Sequence, residues 1–317
     1  ATSGLASAGI LLKTSKAEAA SNKRVNLVTT WSPKMPILQD SAERLSRLVK
    51  EATAGKLRIK VYAGGELIPP LGVFDAVSSG DVQLGIGASY YWSGKIPATP
   101  FYTAIPFGFD TETMNSWLSS GGGLQLWEEL YKPHNLVPIS IGNTGAQMAG
   151  WFKKELKSPA DLKGLKIRMP GLGGKVLAKA GANVVLLPGA ELYTALERGT
   201  IDATEWVGPM LDERLGLHRA AEFCYYPGWQ EPSTNIELII NDSVWKSWPI
   251  EYQGIVRACA AEVSSWAVSE FLSANGEALK RLKENDKIQI KKLPDSILAA
   301  LKKSSDIVVE ELASQDA

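Results

Sequence analysis

Arg168 ends a short apolar stretch, Leu165-Lys166-Ile167-Arg168, and is followed by Met169-Pro170-Gly171, a turn that fixes the exit of the chain. Strand ends that face a crevice are where open α/β sheets take up ligands. A guanidinium there can hold a carboxylate through two parallel hydrogen bonds. One arginine alone says little, because most are solvated surface charges. Two acids have a less ordinary setting. Glu237 lies in the apolar run 236–240, where a carboxylate is costly unless paired, and Glu205 follows Ala203-Thr204 directly before Trp206. Other chemistries are poorly supplied. The chain has two histidines, His134 and His218, too few for a His-rich zinc site or most His-based nucleophile relays. Its two cysteines, Cys224 and Cys259, are not spaced as a metal motif and read as unpaired buried thiols. Gly171-Leu172-Gly173-Gly174-Lys175 lacks the spacing of a phosphate-binding loop and reads as a tight helix start.

The elements that must hold these residues form two series. Residues 24–31 read as a strand, 39–54 as an amphipathic helix stopped by Gly55, 57–62 as a strand, 70–79 as a helix and 82–88 as a glycine-rich strand. That alternation predicts a parallel sheet with crossover helices. The pattern restarts with strands at 137–142, 147–152 and 165–168. A helix over 173–180, a strand over 183–187 and a helix over 190–198 follow, and 203–206 begins another strand or loop. Residues 235–241 (NIELIIN) are an apolar strand, 249–285 a nearly unbroken helix, and 297–312 a closing amphipathic helix. The expected division is a tail or signal remnant over 1–23, a first lobe over 24–140 with part of 241–285, and a second lobe over 141–235. Residues 236–317 would supply a hinge strand, the long helix and the C-terminal helices. Several crossing segments between two lobes imply a hinge.

The 317 residues suit two α/β lobes better than one core. A hydrophobic content of 45% with 21% charged residues is that of a soluble globular protein. The 34 basic and 34 acidic side chains cancel, so no global charge draws the chain to nucleic acid or an anionic membrane. No apolar run reaches spanning length. Residues 1–20 carry a short apolar stretch at 9–12 and then Ala17-Glu18-Ala19, which reads as the back half of a secretory signal peptide.

Beyond Arg168-Met169-Pro170 come Gly181-Ala182 and then Glu191-Leu192-Tyr193-Thr194-Ala195-Leu196-Glu197-Arg198-Gly199-Thr200-Ile201-Asp202-Ala203-Thr204-Glu205. This series resembles the periplasmic solute-binding proteins of TRAP transporters, the DctP-like family, as do Gly64-Gly65-Glu66-Leu67 and Gly80-Asp81-Val82-Gln83-Leu84-Gly85 upstream. The resemblance covers the chain from about residue 24. It implies a two-lobed periplasmic-binding-protein-like α/β fold with a hinge, an interlobe cleft and long C-terminal helices. Glu205-Trp206-Val207-Gly208-Pro209 and Tyr225-Tyr226-Pro227-Gly228-Trp229 look like the branch that binds 2-oxo or 2-hydroxy acids, such as pyruvate or lactate, with a metal ion. Carried over, the resemblance implies Arg168 on the carboxylate. Gln147, Glu205, Trp206 (through its carbonyl) and Glu237 would hold the metal, and Tyr90 and Tyr91 would close over the ligand.

Two glutamates facing one dry cleft would repel each other and an anionic ligand. A hard cation with oxygen ligands, Ca²⁺ or Na⁺, removes that conflict. One arginine, two glutamates and a ligand anion sum to −2, which a divalent ion neutralises. Bland readings stand beside these. Trp206, Tyr90 and Tyr91 also suit core packing, Gln147 a loop, and the two glutamates a solvated surface. The implied function is collection of the acid in the periplasm and delivery to membrane permease subunits, with a homodimer as a possible state through the long helix. The rival is a metal-assisted enzyme using Glu205 and Glu237 as acid and base, against which no nucleophile–base pair is visible.

Overall fold

The computed structural model describes residues 23–314, so the signal-like segment at 1–20 lies outside the described residues. The first lobe begins with β1 (Lys23–Thr29), α1 (Leu38–Ala52), β2 (Leu57–Tyr62), α2 (Val73–Ser79) and β3 (Leu84–Gly87). It continues with α3 (Thr111–Ser120), α4 (Gly123–Tyr131) and β4 (Leu136–Asn143). In α1, Leu38, Ala42, Leu45 and Val49 are buried at helical spacing, which presses the helix onto the sheet. β1 pairs in parallel with both β2 and β3, as βαβ crossovers require.

The second lobe is built from β5 (Gly150–Phe152), β6 (Lys166–Arg168), α5 (Gly171–Lys179), β7 (Asn183–Val185) and α6 (Leu192–Glu197). β8 (Ala203–Thr204), α7 (Pro209–Leu215) and β9 (Phe223–Tyr226) complete this stretch. The chain then returns. β10 (Asn235–Asn241) inserts between β3 and β4, antiparallel to both, giving a first sheet of order β2-β1-β3-β10-β4. After α8 (Asp242–Lys246) and α9 (Ile250–Lys283), β11 (Gln289–Lys292) joins the edge of the second sheet, β11-β9-β5-β8-β6-β7. The last element is α10 (Asp295–Ala313), which packs on α5. Each sheet therefore takes in a strand from later in the chain, β10 as an inner strand of the first and β11 at the edge of the second.

α9 is 34 residues long, roughly 50 Å at the standard rise. Its buried residues Tyr252, Val256, Ala260, Val263, Ala267, Phe271, Ala278 and Leu282 make one stripe, which lies on α1 and β4 of the first lobe and on α7 of the second. It starts directly after Pro249, whose ring cannot donate to a preceding turn. Cys224 on β9 and Cys259 on α9 are both free and buried.

Candidate functional site

Arg168 is the last residue of β6, at the strand's C-terminal edge facing the other lobe. It is 1% exposed. Its Nε donates to the Leu187 carbonyl at 3.2 Å and one Nη to the Glu205 carbonyl at 3.2 Å. The same Nη forms an ion pair with the Glu205 carboxylate, which is fully buried. Its carbon lies 5.2 Å from the Trp206 ring centroid, so the indole face covers the guanidinium. The second Nη has no hydrogen-bond partner among the described residues. Held on three sides, the guanidinium presents that nitrogen to an incoming acceptor.

Glu205 and Trp206 follow β8, which runs parallel to β6. The loop beyond them is tied down by Asp212 at the start of α7. Its carboxylate accepts from Val207 N at 3.2 Å, Gly208 N at 3.1 Å and Trp151 Nε1 at 2.9 Å. Burial pushes Asp212 up to about 6.

The two segments that carry the chain between lobes, 144–149 and 227–234, lie side by side. Thr144 N donates to Thr234 O at 3.0 Å and Gln147 N to Glu231 O at 3.3 Å. Gln147 therefore sits in a lobe crossing, and β5 begins only at Gly150, shorter than the strand expected from 147. Its amide nitrogen donates to Thr144 Oγ1 at 3.1 Å and Thr234 Oγ1 at 2.8 Å, which orients Oε1 away from both. Gly228 is required beside it. A Cβ there would stand 2.2 Å from the Gln147 carbonyl oxygen, which no side chain permits.

Glu231, on the second crossing, was not among the residues singled out by sequence. It is 2% exposed, accepts from Thr234 Oγ1, and interacts electrostatically with Arg168, Glu205, Tyr90 and Gln147. The structure brings Arg168, Glu205, Trp206, Gln147 and Glu231 together, but not Glu237. That carboxylate points into the first lobe, where Ser89 Oγ (2.7 Å), Tyr131 OH (2.9 Å) and Trp92 Nε1 donate to it. The physical reason is β10 itself, which is an inner strand of the first sheet, with Glu237 opposite Gly87 of β3. The signal for Glu231 was present in Trp229-Gln230-Glu231-Pro232, a polar pair between an aromatic and a proline that cannot continue a strand.

Tyr90 and Tyr91 reach across from the first lobe on a 3₁₀ turn, Ser89–Trp92. The Tyr90 ring packs against Gly171 at the start of α5. Burial raises Tyr90 well above its ordinary value, with Glu231 adding to it, and burial raises Tyr91, with Arg168 opposing. Both hydroxyls stay neutral donors beside the charged groups. Burial also drives Glu205 well above the carboxylate range; Arg168 pulls against that, while Glu231 and Asp212 add to it. Burial raises Glu231 to about 7, opposed by the Thr234 hydroxyl and Arg168. Burial works against the Arg168 charge, yet Glu205, the tyrosines and Glu231 hold it above its usual value.

Gln147 Oε1 and Glu205 Oε2 are buried acceptors without a donor among the described residues, and Glu231 adds a second carboxyl group. Oxygen-only donors, two of them carboxyl groups, are the set that suits Ca²⁺ or Na⁺ and not a soft metal. A cation fits the residues present.

Residues 27–316 match the model of the bacterial extracellular solute-binding protein family 7, DctP. The chain belongs to this family, whose members bind solutes outside the cytoplasmic membrane rather than catalyse reactions. The monocarboxylate 2-oxoacid-binding periplasmic protein of Nostoc sp. is 45% identical over 296 residues, 93% of this chain and 81% of that protein. A TRAP periplasmic solute-binding protein from Pseudoalteromonas atlantica, solved with sodium and pyruvate, superposes with a TM-score of 0.91 at 40% identity, covering 93% of this chain and 90% of that one. A TRAP transporter solute-binding protein from Bordetella bronchiseptica gives 0.91 at 38% identity, covering 93% and 87%. It was solved as a mixed-occupancy dimer with copurified calcium and picolinate in one site.

Proposed function

We propose that this chain is the extracytoplasmic receptor of a TRAP-type transporter for a small 2-oxo monocarboxylate of the pyruvate type, taken up together with Ca²⁺ or Na⁺. The observation that carries the reading is the meeting of one free Arg168 nitrogen with the buried, donor-less oxygens of Gln147 and Glu205. The first wants an anion and the others want a cation. A 2-oxo acid offers a carboxylate to the arginine and a neighbouring oxygen to the cation. Picolinate, bound by the Bordetella relative, has the same arrangement, a carboxylate beside a second donor atom.

In this reading Arg168 holds the carboxylate, and Gln147, Glu205, Glu231 and the Trp206 carbonyl hold the ion. Glu231 thus takes the place the family resemblance gave to Glu237. The ion, when bound, neutralises the carboxylates so that an anion can enter. Tyr90 and Tyr91 donate from the facing lobe and exclude water, which strengthens the Arg168 contact. The acid is released unchanged to membrane permease subunits. The Bordetella relative was solved as a dimer, and the 34-residue α9 is the element through which a homodimer would form here.

Calorimetry with pyruvate, longer 2-oxo acids and lactate, in Ca²⁺, in Na⁺ and with neither, tests the reading. Binding is expected only with a cation, and Glu231→Gln is expected to lose that dependence along with most of the affinity. Cation-independent binding, or chemical conversion of the acid on incubation, sinks it.

A further inference from the structure

Glu237 is a fully buried carboxylate that the binding reading leaves without a task. Its three donors are not scattered. Ser89 and Trp92 are the first and last residues of the 3₁₀ turn whose two middle residues are Tyr90 and Tyr91. The third, Tyr131, is the last residue of α4, and its ring meets Phe74 of α2 edge-on, as a wall behind the turn. One carboxylate thus grips the turn at both ends and ties it to the first-lobe core.

The backbone is arranged for this grip. The register of β10 against β4 slips between Ile236 and Glu237, a bulge of the kind that re-aims a side chain. Opposite Glu237 on β3 stands Gly87, where a Cβ would lie 2.9 Å from the Trp92 ring, so the absent side chain makes the seat for the indole. From there the Tyr90 and Tyr91 rings, 4.9 Å apart and edge-on, face Arg168, Glu205 and Glu231 of the other lobe.

We propose that Glu237 is a positioning residue of the binding site, a carboxylate clamp that holds the Ser89–Trp92 turn so that Tyr90 and Tyr91 are presented, already ordered, to the ligand held by the second lobe. Fixing two large side chains before binding removes an entropic cost from the binding step. The role of the tyrosines rests on the 2-oxo acid reading; the clamp itself does not.

Two measurements decide. In ligand-free protein, Glu237→Gln and the milder Ser89→Ala are expected to speed amide hydrogen exchange over 89–93 by at least tenfold, while β6 and α5 are unchanged. In calorimetry with pyruvate and Ca²⁺, Glu237→Gln is expected to weaken affinity by roughly tenfold. The cation requirement should be retained, since Glu237 is not an ion ligand. Combined with Tyr90→Phe and Tyr91→Phe, it should add little, because its effect runs through those hydroxyls. Unchanged exchange over 89–93 in both variants overturns the clamp whatever the ligand proves to be. So does a loss of affinity fully additive with the tyrosine changes. A lower melting temperature with wild-type exchange and affinity would make Glu237 a core residue only. If wild type binds no 2-oxo acid, the ligand reading fails, and exchange still decides the clamp.

Discussion

At the residue scale, the site is an electrostatic compromise. Arg168 and Glu205 are a buried pair, and such a pair is costly to break because the survivor is an uncompensated charge. Arg168→Ala is therefore expected to weaken pyruvate binding by at least a hundredfold, and calorimetry checks it. Arg168→Lys, which keeps the charge but not the fork, is expected to recover only part of the loss. Glu237 gives a pH effect with a definite sign. Burial raises its folded value from 4.5 to about 7, against the three hydrogen bonds that favour the carboxylate. Between about pH 4.5 and 7 the folded state holds a proton the unfolded chain has lost, so stability falls as pH rises through that window. The melting temperature of cation-free protein is expected to rise as pH falls from about 8 to about 5. Glu237→Gln should make that rise shallower, by on the order of 3 kcal/mol in total. A sequence reading correctly required a partner for an acid inside NIELIIN. The family resemblance implied a cation as that partner, where folding supplied three neutral donors from residues 89, 92 and 131. No periodicity links those positions to 237.

At the element scale, the long elements had the most legible bounds. α1, β1, β2, α9 and α10 carry enough residues for their period to show, and their bounds were read to within a few positions. The short strands were also located, β6 from 165–168, β7 from 183–187 and β8 from a strand or loop at 203–206, but drawn too long, and β5 was begun three residues early, at 147. β11 (Gln289–Lys292) escaped notice because three of its four residues are polar, β9 because its four residues lie just before Pro227-Gly228, and α3 and α4 because their stretch carries glycines 121–123. The crossings, which hold Gln147 and Glu231, look like ordinary loops until the sheets are seen to switch across them. Gly228→Ala is the sharpest probe here. The added methyl must displace the Gln147 backbone, so affinity for pyruvate and Ca²⁺ is expected to fall severalfold or more. Calorimetry should show the deficit largest at low Ca²⁺. A variant with wild-type Ca²⁺ dependence would mean that the Gln147 crossing does not help hold the ion.

At the scale of the whole molecule, the proposed site lies between lobes that three stretches of the described chain connect, the two crossings and α9. Any species that binds only the folded form stabilises it by mass action. With cation present, pyruvate at a hundred times its dissociation constant is expected to add about 2.7 kcal/mol, seen as a raised melting temperature. Removing all binding cations should abolish the shift. Two α/β units could be read from the alternation of elements, but the exchange of strands between them could not. Pairing of distant segments leaves no local trace in composition or period.

That exchange has a consequence for how the chain comes into being. The first sheet lacks β10, the strand lying between β3 and β4, until residue 241 of 317 has been supplied, and the second lacks its edge strand until residue 292. A chain emerging N-terminus first from a ribosome or a secretion channel therefore cannot complete either lobe early. Long-range pairing of this kind is slow to form. For a family that works beyond the membrane, these late-arriving strands mean that neither sheet is complete until most of the chain has emerged.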